Sequence, residues 1–370
     1  MNRPWRIAHS EFSLGWGGQE HRVLAELEGF RRRGHEVFLV APRVSKIWER
    51  AVAAGISTVE LPTSKPRLIA SVLRLGHWLG QNRVDVLNTH SSRDGWFVAL
   101  AGRFAGVPLI IRTRHVEVDY RQPWISRHAF TTLADHVLTT SDRIREGLCR
   151  RLRLHPTNVT TLPTGIDPER FTPVGQGSPE MLELRKAGRR LIGMVCVLRS
   201  WKGHNIFIEA ARRLHQQGLK ADFVIVGAGP MEEKIRQWIA EAGMKESFHL
   251  LGHVEDVPGV LRSLDALAIP SYGHEGVPQI GLQALACETP VVGSDVGGIP
   301  EIIRPGETGR IFPSKDSAAL ATGLTAALKQ KRETERMTRQ GRESVENNHS
   351  IDHMLDQLED MYERLAPSEA

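Results

Sequence analysis

The sequence predicts an α/β protein built as two parallel-sheet units in tandem, and three observations predict it. Short apolar runs of strand length alternate with longer helix-like stretches through residues 5–170. A polar stretch containing glycine and proline, from Pro173 to about Arg189, interrupts the alternation, which then restarts. In each half a glycine-bearing turn follows a strand and opens a helix, Gly15-Trp16-Gly17-Gly18 in the first and Gly227-Ala228-Gly229 in the second. Alternation of this kind sets parallel strands side by side with helices as the crossovers.

Taken in order, Trp5 to Ser10 reads as a short buried strand, Gln19 to Arg33 as a helix ended by Gly34, and Glu36 to Ala41 as the next strand. Further strands are expected at Ser57 to Leu61, Val84 to Thr89, Leu109 to Arg114, His136 to Thr140 and Asn158 to Leu162. The second half repeats the pattern at Leu191 to Leu198, Asp222 to Val226, Ser247 to Leu251, Ala266 to Pro270 and Val291 to Ser294. Ser350 then caps a helix on which Ile351, Met354, Leu355, Leu358, Tyr362 and Leu365 form one apolar stripe. The expected domains are residues 1–170 and 171–349, with the last helix over about 350–367.

A chain of 370 residues that is 41% hydrophobic and 25% charged is a folded globular protein with room for two domains of roughly 150 residues each. No run reaches the ~18 apolar residues that span a bilayer, and Met1-Asn2-Arg3-Pro4-Trp5-Arg6 leads into a strand rather than a signal-peptide core. A cytoplasmic location is expected. Cys149, Cys196 and Cys287 lack metal-ligand or redox spacing and read as free thiols. Residues 1–170 hold 25 Lys and Arg against 16 Asp and Glu, whereas residues 171–370 hold 23 against 27. A basic first half suits an anionic partner, and without a nucleic-acid fold signature a phospholipid surface or a phosphorylated acceptor is favoured over nucleic acid. Residues 67–79 can form a mostly apolar helix edged by Arg67, Arg74 and nearby Lys65, which suits a peripheral surface helix, although packing on the sheet explains most of the same apolar residues.

The chemistry concentrates at strand ends. In Glu275-Gly276-Val277-Pro278-Gln279-Ile280-Gly281-Leu282-Gln283, proline at a first helical position predicts a helix starting near Val277 or Pro278, with an acidic side chain just ahead of it. Backbone N–H groups at such a start attract phosphate, and Gln283, about 12 Å further along a continuous helix, reaches another part of a long ligand. A sugar joined to a nucleotide through a pyrophosphate fits that layout. Trp201-Lys202-Gly203-His204 follows the first strand of the second half, where Lys202 can neutralise a pyrophosphate with Arg199 three residues before it. The Gly227 turn lacks the third glycine of a dinucleotide fingerprint, since Glu232 occupies that place. In the first half, His90 follows one strand and Arg114-His115 ends the next, which suits an anionic or polyhydroxyl acceptor.

The segment from Glu275 to Ala286 resembles the Glu, seven residues, Glu motif of the family 4 retaining glycosyltransferases, with Gln283 in place of the second Glu. The resemblance covers most of the chain and is strongest over residues 190–312. It implies the GT-B architecture, two Rossmann-like domains with a cleft between them and a last helix crossing back to the first. It also implies transfer of a sugar from a UDP, GDP or ADP sugar to a hydroxyl, with retention, through front-face attack in which the leaving diphosphate takes the acceptor proton. On that pattern Glu275 and His90 contact the transferred sugar, Gln283 the ribose and Lys202 the diphosphate. The arginine the family carries five residues before the lysine is Val197 here, so Arg199 is its substitute. Leu251-Gly252-His253-Val254 resembles the segment that grips the nucleobase, and Gly227 the turn at the donor. Gly17-Gly18-Gln19-Glu20 resembles the glycine loop at the donor phosphate or acceptor, and Gly276, Val277 and Pro278 complete the donor side. No Asp-x-Asp string of the metal-dependent transferases is present, and Glu117-Val118-Asp119 does not end a clear apolar strand, so neither a metal nor another cofactor is expected. The Trp201-to-His204 and Thr113-Arg114-His115 variants look like members that build bacterial lipopolysaccharide or related surface glycolipids, which implies a glycan or glycolipid acceptor at the cytoplasmic face of the inner membrane. A nucleotide-sugar 2-epimerase and a binding-only relative stay open as alternatives.

Overall fold

The computed structural model describes residues 4–118, 120, 122–185 and 188–366. Asp119 of the acidic string, the first three residues and the side chain of Lys65 lie outside the described residues. The chain divides into two units, one of Met1–Gly165 with Ile351–Ala370 and one of Ile166–Ser350.

In the first unit, β1 (Arg6–Ser10), β2 (Glu36–Ala41), β3 (Ser57–Glu60), β4 (Val86–Thr89), β5 (Leu109–Arg114), β6 (His136–Thr139) and β7 (Val159–Thr161) form one parallel sheet in the order β3-β2-β1-β4-β5-β6-β7. Both faces are covered, so the strands read as near-continuous apolar runs, and alternate residues serve opposite faces. Val37, Leu39 and Val86 pack with helices Gly18–Arg32 and Ile351–Leu365, while Phe38, Val40 and Leu87 pack with Lys65–Gln81 and Asp94–Ala105.

The second unit repeats the plan with β8 (Arg190–Val195), β9 (Ala221–Val226), β10 (Phe248–Gly252), β11 (Ala266–Ile269), β12 (Val291–Ser294) and β13 (Arg310–Phe312), ordered β10-β9-β8-β11-β12-β13. Strand β13 was not foreseen. It has only three residues and no apolar period, and its pairing of Ile311 with Gly293 of β12 is what makes it a strand. The stretch expected to be a linker is also structured. Helix Pro179–Arg185 buries Met181, and Ile166 and Phe171 lie in the same core, so the chain enters the second unit at Ile166 rather than at 171. Strand β8 stops at Val195 instead of Leu198, and beyond it the amide of Leu198 donates to the Ala228 carbonyl of the neighbouring loop (3.1 Å).

In both sheets the chain first moves outward on one side of the first strand and then returns to build the other side. The reversals fall between β1 and β4 and between β8 and β11. Loops leaving the carboxyl ends of those two strands diverge, which opens the crevice where ligands of open α/β sheets bind.

The last helix, Ile351–Leu365, closes the first unit. Met354, Leu355, Leu358, Met361 and Tyr362 are buried against Gly18–Arg32, and Arg33 pairs with Asp356 (2.7 Å) and Glu359 (2.8 Å). The two helices meet at Gly29, where an added Cβ would collide with the Leu355 side chain. Gly29→Val should therefore overpack this contact at about 1–3 kcal/mol and lower the melting temperature by roughly 2–10 °C. A thermal melt by circular dichroism that moves by less than about 1 °C would contradict the docking of this helix.

Candidate functional site

At the β8/β11 reversal four strand-end loops are locked together by close backbone approach. Lys202 ends a short 3-10 turn, Ser200–Lys202, and Gly203 turns into helix His204–Gln216 with φ +79°. A side chain at Gly203 would strike the Pro270 carbonyl, so glycine lets the lysine loop lie on the loop after β11. The amide of Tyr272 donates to the Trp201 carbonyl (2.8 Å) across that seam. There Lys202 Nζ donates to Glu275 Oε1 at 2.6 Å, and Ser271 Oγ donates to the same oxygen at 2.6 Å. Burial is the largest influence on Lys202 and lowers its pKa, but the Glu275 charge, the neighbouring Cys196 and the hydrogen bond to Glu275 together outweigh it and the value is raised, so Lys202 remains an ammonium ion.

Glu275 is held from its other side as well. Gly297 (φ +61°) packs so tightly on Glu275 that a Cβ would collide with it, and the Gly298 amide donates to the Gly276 carbonyl (3.2 Å). The following helix begins later than the proline suggested. It spans Gln279–Ala286 with Pro278 as its extended N-cap, and Val277, the residue before the proline, is disfavoured from helical geometry by the proline ring. Glu275 thus stands four residues ahead of the helix, and Gln283, half-buried, lies only its second turn away, so the separation from Glu275 is loop plus a short helical rise rather than one continuous helix. Gly227 (φ +132°) donates its amide to the Gly252 carbonyl (2.7 Å), tying the ends of β9 and β10, and a side chain there would strike the Cys196 carbonyl. Val254 packs partly buried on the core, whereas exposed His253 pairs with Glu255 (3.1 Å) in its own turn. Arg199 is exposed at the end of the same strand loop, with no ion-pair partner among the described residues.

The first unit brings polar groups to its own reversal. Beyond β1, buried Glu11 accepts from the Ser13 amide (2.8 Å) and from the side chain of Gln19 at the start of the first helix. Gly17 precedes that helix and donates its amide to Glu20 (2.8 Å). Asp94 accepts from the His90 amide (2.9 Å) and Ser10 Oγ (2.8 Å). Burial, reinforced by the Asp94 charge, pushes the Glu11 carboxyl up to about 8. His90 sits between two other rings, 3.0 Å from His9 and 2.9 Å from His115, and is 1% exposed with both nitrogens engaged. Arg114, 5% exposed, ends β5 beside His115.

Two family models match the chain, "Glycosyltransferase Family 4" over residues 16–170 and "Glycosyl transferases group 1" over 183–344, one on each unit. This chain belongs to the family 4 glycosyltransferases. It is 24% identical to an Escherichia coli UDP-Gal:alpha-D-GlcNAc-diphosphoundecaprenol alpha-1,3-galactosyltransferase, with 96% of each chain covered. It is 27% identical to a Mycobacterium leprae phosphatidyl-myo-inositol mannosyltransferase, covering 95% of this chain and 94% of that one. Its fold matches a Rickettsia africae glycosyltransferase with a TM-score of 0.88 at 16% identity over the whole of both chains. The architecture of this family 4 enzyme is GT-B, two Rossmann-like domains with parallel sheets of seven and six strands.

Of the residues singled out in the sequence, the structure joins Lys202, Glu275 and Gly276 in one pinned loop assembly, and His90 with His115 in another. Sequence reasoning missed Ser271, the Gly297-Gly298 pair, His9, Glu26 and Glu11. The glycine pair carried a legible signal, since it follows strand β12 and opens a helix as Gly227 does after β9. The others are ordinary residue types that gain a role only from partners far along the chain.

The Glu11 carboxyl yields a pH test for this glycosyltransferase. A carboxyl raised from 4.5 to about 8 adds stability at low pH and loses it as pH rises between those values, because the unfolded chain releases the proton first. Glu11→Gln, neutral throughout, should melt above wild type at about pH 8.5, with the gap closing towards about pH 5. A gap independent of pH would show that Glu11 is already ionised.

Proposed function

We propose that this glycosyltransferase moves a sugar, with retention, from a nucleotide-diphosphate sugar to a hydroxyl of a lipopolysaccharide or related cell-surface glycan or glycolipid. The observation that carries the proposal is the Lys202–Glu275 pair at the β8/β11 reversal. In the resting site each charge neutralises the other. An arriving diphosphate offers Lys202 a stronger partner, with Arg199 close by in the same loop, and frees Glu275 for the hydroxyls of the attached sugar. Glu275 remains held by Ser271, so it is already oriented when released.

The bond from the anomeric carbon to the diphosphate breaks while the bond to the acceptor oxygen forms on the same face, and the acceptor proton passes to the leaving diphosphate oxygen. Lys202, Arg199 and the backbone amides near Gly276 stabilise that leaving charge without a metal. Gln283 serves the ribose, the Gly252, His253 and Val254 segment the base, Gly227 the turn at the donor, Gly17 and Gly18 the donor phosphate or acceptor, and Arg114 and His115 the acceptor side. The E. coli relative is named for a UDP-linked donor and a diphosphoundecaprenol acceptor, and the M. leprae relative for phosphatidyl-myo-inositol, which supports a lipid-borne acceptor.

Titration calorimetry with nucleoside diphosphates, paired with transfer assays, tests the assignment. Lys202→Ala should weaken diphosphate binding by roughly 30- to 150-fold, the equivalent of about 2–3 kcal/mol, and leave nucleoside binding nearly unchanged. Glu275→Gln should abolish transfer while diphosphate affinity stays within a few fold, and chelator should not slow the wild type. Loss of nucleotide affinity in Glu275→Gln, or rescue of a chelated enzyme by divalent metal, would defeat these roles. An epimerase would convert the donor with no acceptor present, and a binding-only relative would turn over nothing.

We also propose a cytoplasmic enzyme that docks on an anionic membrane surface. No helix of the described residues is long and apolar enough to cross a membrane. Helix Lys65–Gln81 buries Leu68, Val72, Leu75 and Leu79 against the sheet but leaves Ile69 56% and Leu73 73% exposed, with Arg67 and Arg74 also at the surface. Core packing therefore accounts for one stripe and leaves a second, apolar and basic, to face lipid at about 1 kcal/mol per well-placed cation. Sedimentation should show binding to anionic but not neutral vesicles, weakened by salt and by Ile69→Glu with Leu73→Glu. Equal binding to both vesicle types, or none at low salt, would point to a soluble acceptor.

A further inference from the structure

Three neighbouring strands of the first sheet, β1, β4 and β5, each place one histidine in a buried row that ends on a carboxylate from helix Gly18–Arg32. His9 Nδ1 lies 3.5 Å from Glu26 Oε2 and 3.0 Å from His90 Nε2, and His90 Nδ1 lies 2.9 Å from His115 Nε2. His9 and His90 are 0% and 1% exposed, and His115, the outermost, 8%. Burial lowers all three pKa values, and His9 falls to about 4 even though the Glu26 charge opposes the shift, so each ring is neutral near pH 7.

A neutral imidazole has one N–H and one lone pair, so the row can run in only two directions. With the hydrogens on Nε2, His9 Nδ1 would turn a lone pair toward the Glu26 carboxylate, and His9 Nε2–H would be a buried donor with no partner among the described residues. With the hydrogens on Nδ1, His9 donates to His90 with its N–H also facing the Glu26 carboxylate 3.5 Å away, His90 donates to His115, and His9 Nε2 is left as a bare lone pair rather than a buried donor. The second arrangement avoids both penalties. It leaves the Nδ1–H of His115 as the one ring donor not used inside the row.

The same atoms of His9, Glu26 and His90 are close enough to hold a metal ion. Against that, Arg22 Nε donates to Glu26 Oε1 at 2.6 Å and already supplies a fixed positive charge in this buried space. We propose that Glu26 and His9, acting through His90, are positioning residues that set the tautomer of His115, so that it offers an uncharged N–H to an oxygen atom of the bound substrate. The role in transfer rests on the glycosyltransferase reading above, whereas the tautomer itself does not.

Nitrogen-15 NMR of histidine-labelled full-length protein at neutral pH reads the tautomers directly. The wild type should show His9, His90 and His115 all protonated on Nδ1. Glu26→Gln, whose amide can donate to His9 Nδ1, should reverse the row, move the His115 hydrogen to Nε2, and lower kcat about tenfold with little change in the donor KM. His9→Asn, which keeps a donor near the Nδ1 position, should retain activity that His9→Phe loses. Wild-type His115 protonated on Nε2, or on both nitrogens, overturns the proposal, as does Glu26→Gln with unchanged tautomers and kcat. Stoichiometric zinc binding that removes the His9 and His90 N–H signals would also overturn it, by making the group a metal site. Should Glu26→Gln not fold, the wild-type spectrum still decides, and absence of transfer with the expected tautomers would count against the enzyme reading alone.

Discussion

A parallel sheet puts all strand carboxyl ends on one edge, and a reversal of strand order beside the first strand parts the loops at one place on that edge. Each unit of this glycosyltransferase obeys that constraint, at β1/β4 and at β8/β11. The groups able to do chemistry collect there. Lys202 and Ser271 leave β8 and β11, while Glu11 and His90 leave β1 and β4.

The two units treat buried ionisable groups differently, and the difference follows from what surrounds them. In the second unit Lys202 and Glu275 lie within hydrogen-bond distance of each other, and that contact helps keep Lys202 charged despite its burial. In the first unit, desolvation removes charge instead. The histidines are held neutral, Glu11 keeps its proton to about pH 8, and Arg22 with Glu26 forms the buried ion pair of the row. A site that pairs its charges is ready to exchange them for those of a ligand, which suits a diphosphate. A site of neutral donors and acceptors suits hydroxyl-bearing groups.

Close backbone approach is what turns loops into a site of defined shape. Gly203, Gly227 and Gly297 all have positive φ and all lie where a Cβ would collide with the backbone of an adjacent loop. Each removes one degree of freedom from the Glu275 and Lys202 loops or from the turns beside them. The contact at Gly29 does the same for the first unit's closing helix, where side-chain packing replaces backbone contact.

By itself the sequence determined the alternation of strands and helices, the two-unit plan, the stripe of the last helix, and the placing of Lys202 and Glu275 in loops that follow strands. These are properties of local period and spacing, written within a dozen residues of one another. Tertiary structure alone decided the rest. Strand β13 exists because β12 offers it hydrogen bonds, and helix Pro179–Arg185 because Met181 finds a core to enter. The pairing of Lys202 with Glu275 joins residues 73 apart, and that of His9 with His90 residues 81 apart. His9 looked like any polar residue ending a strand, and Glu26 like any charge on a helix. Their meaning depends on which strands become neighbours, and sheet order is a long-range outcome that no local pattern encodes.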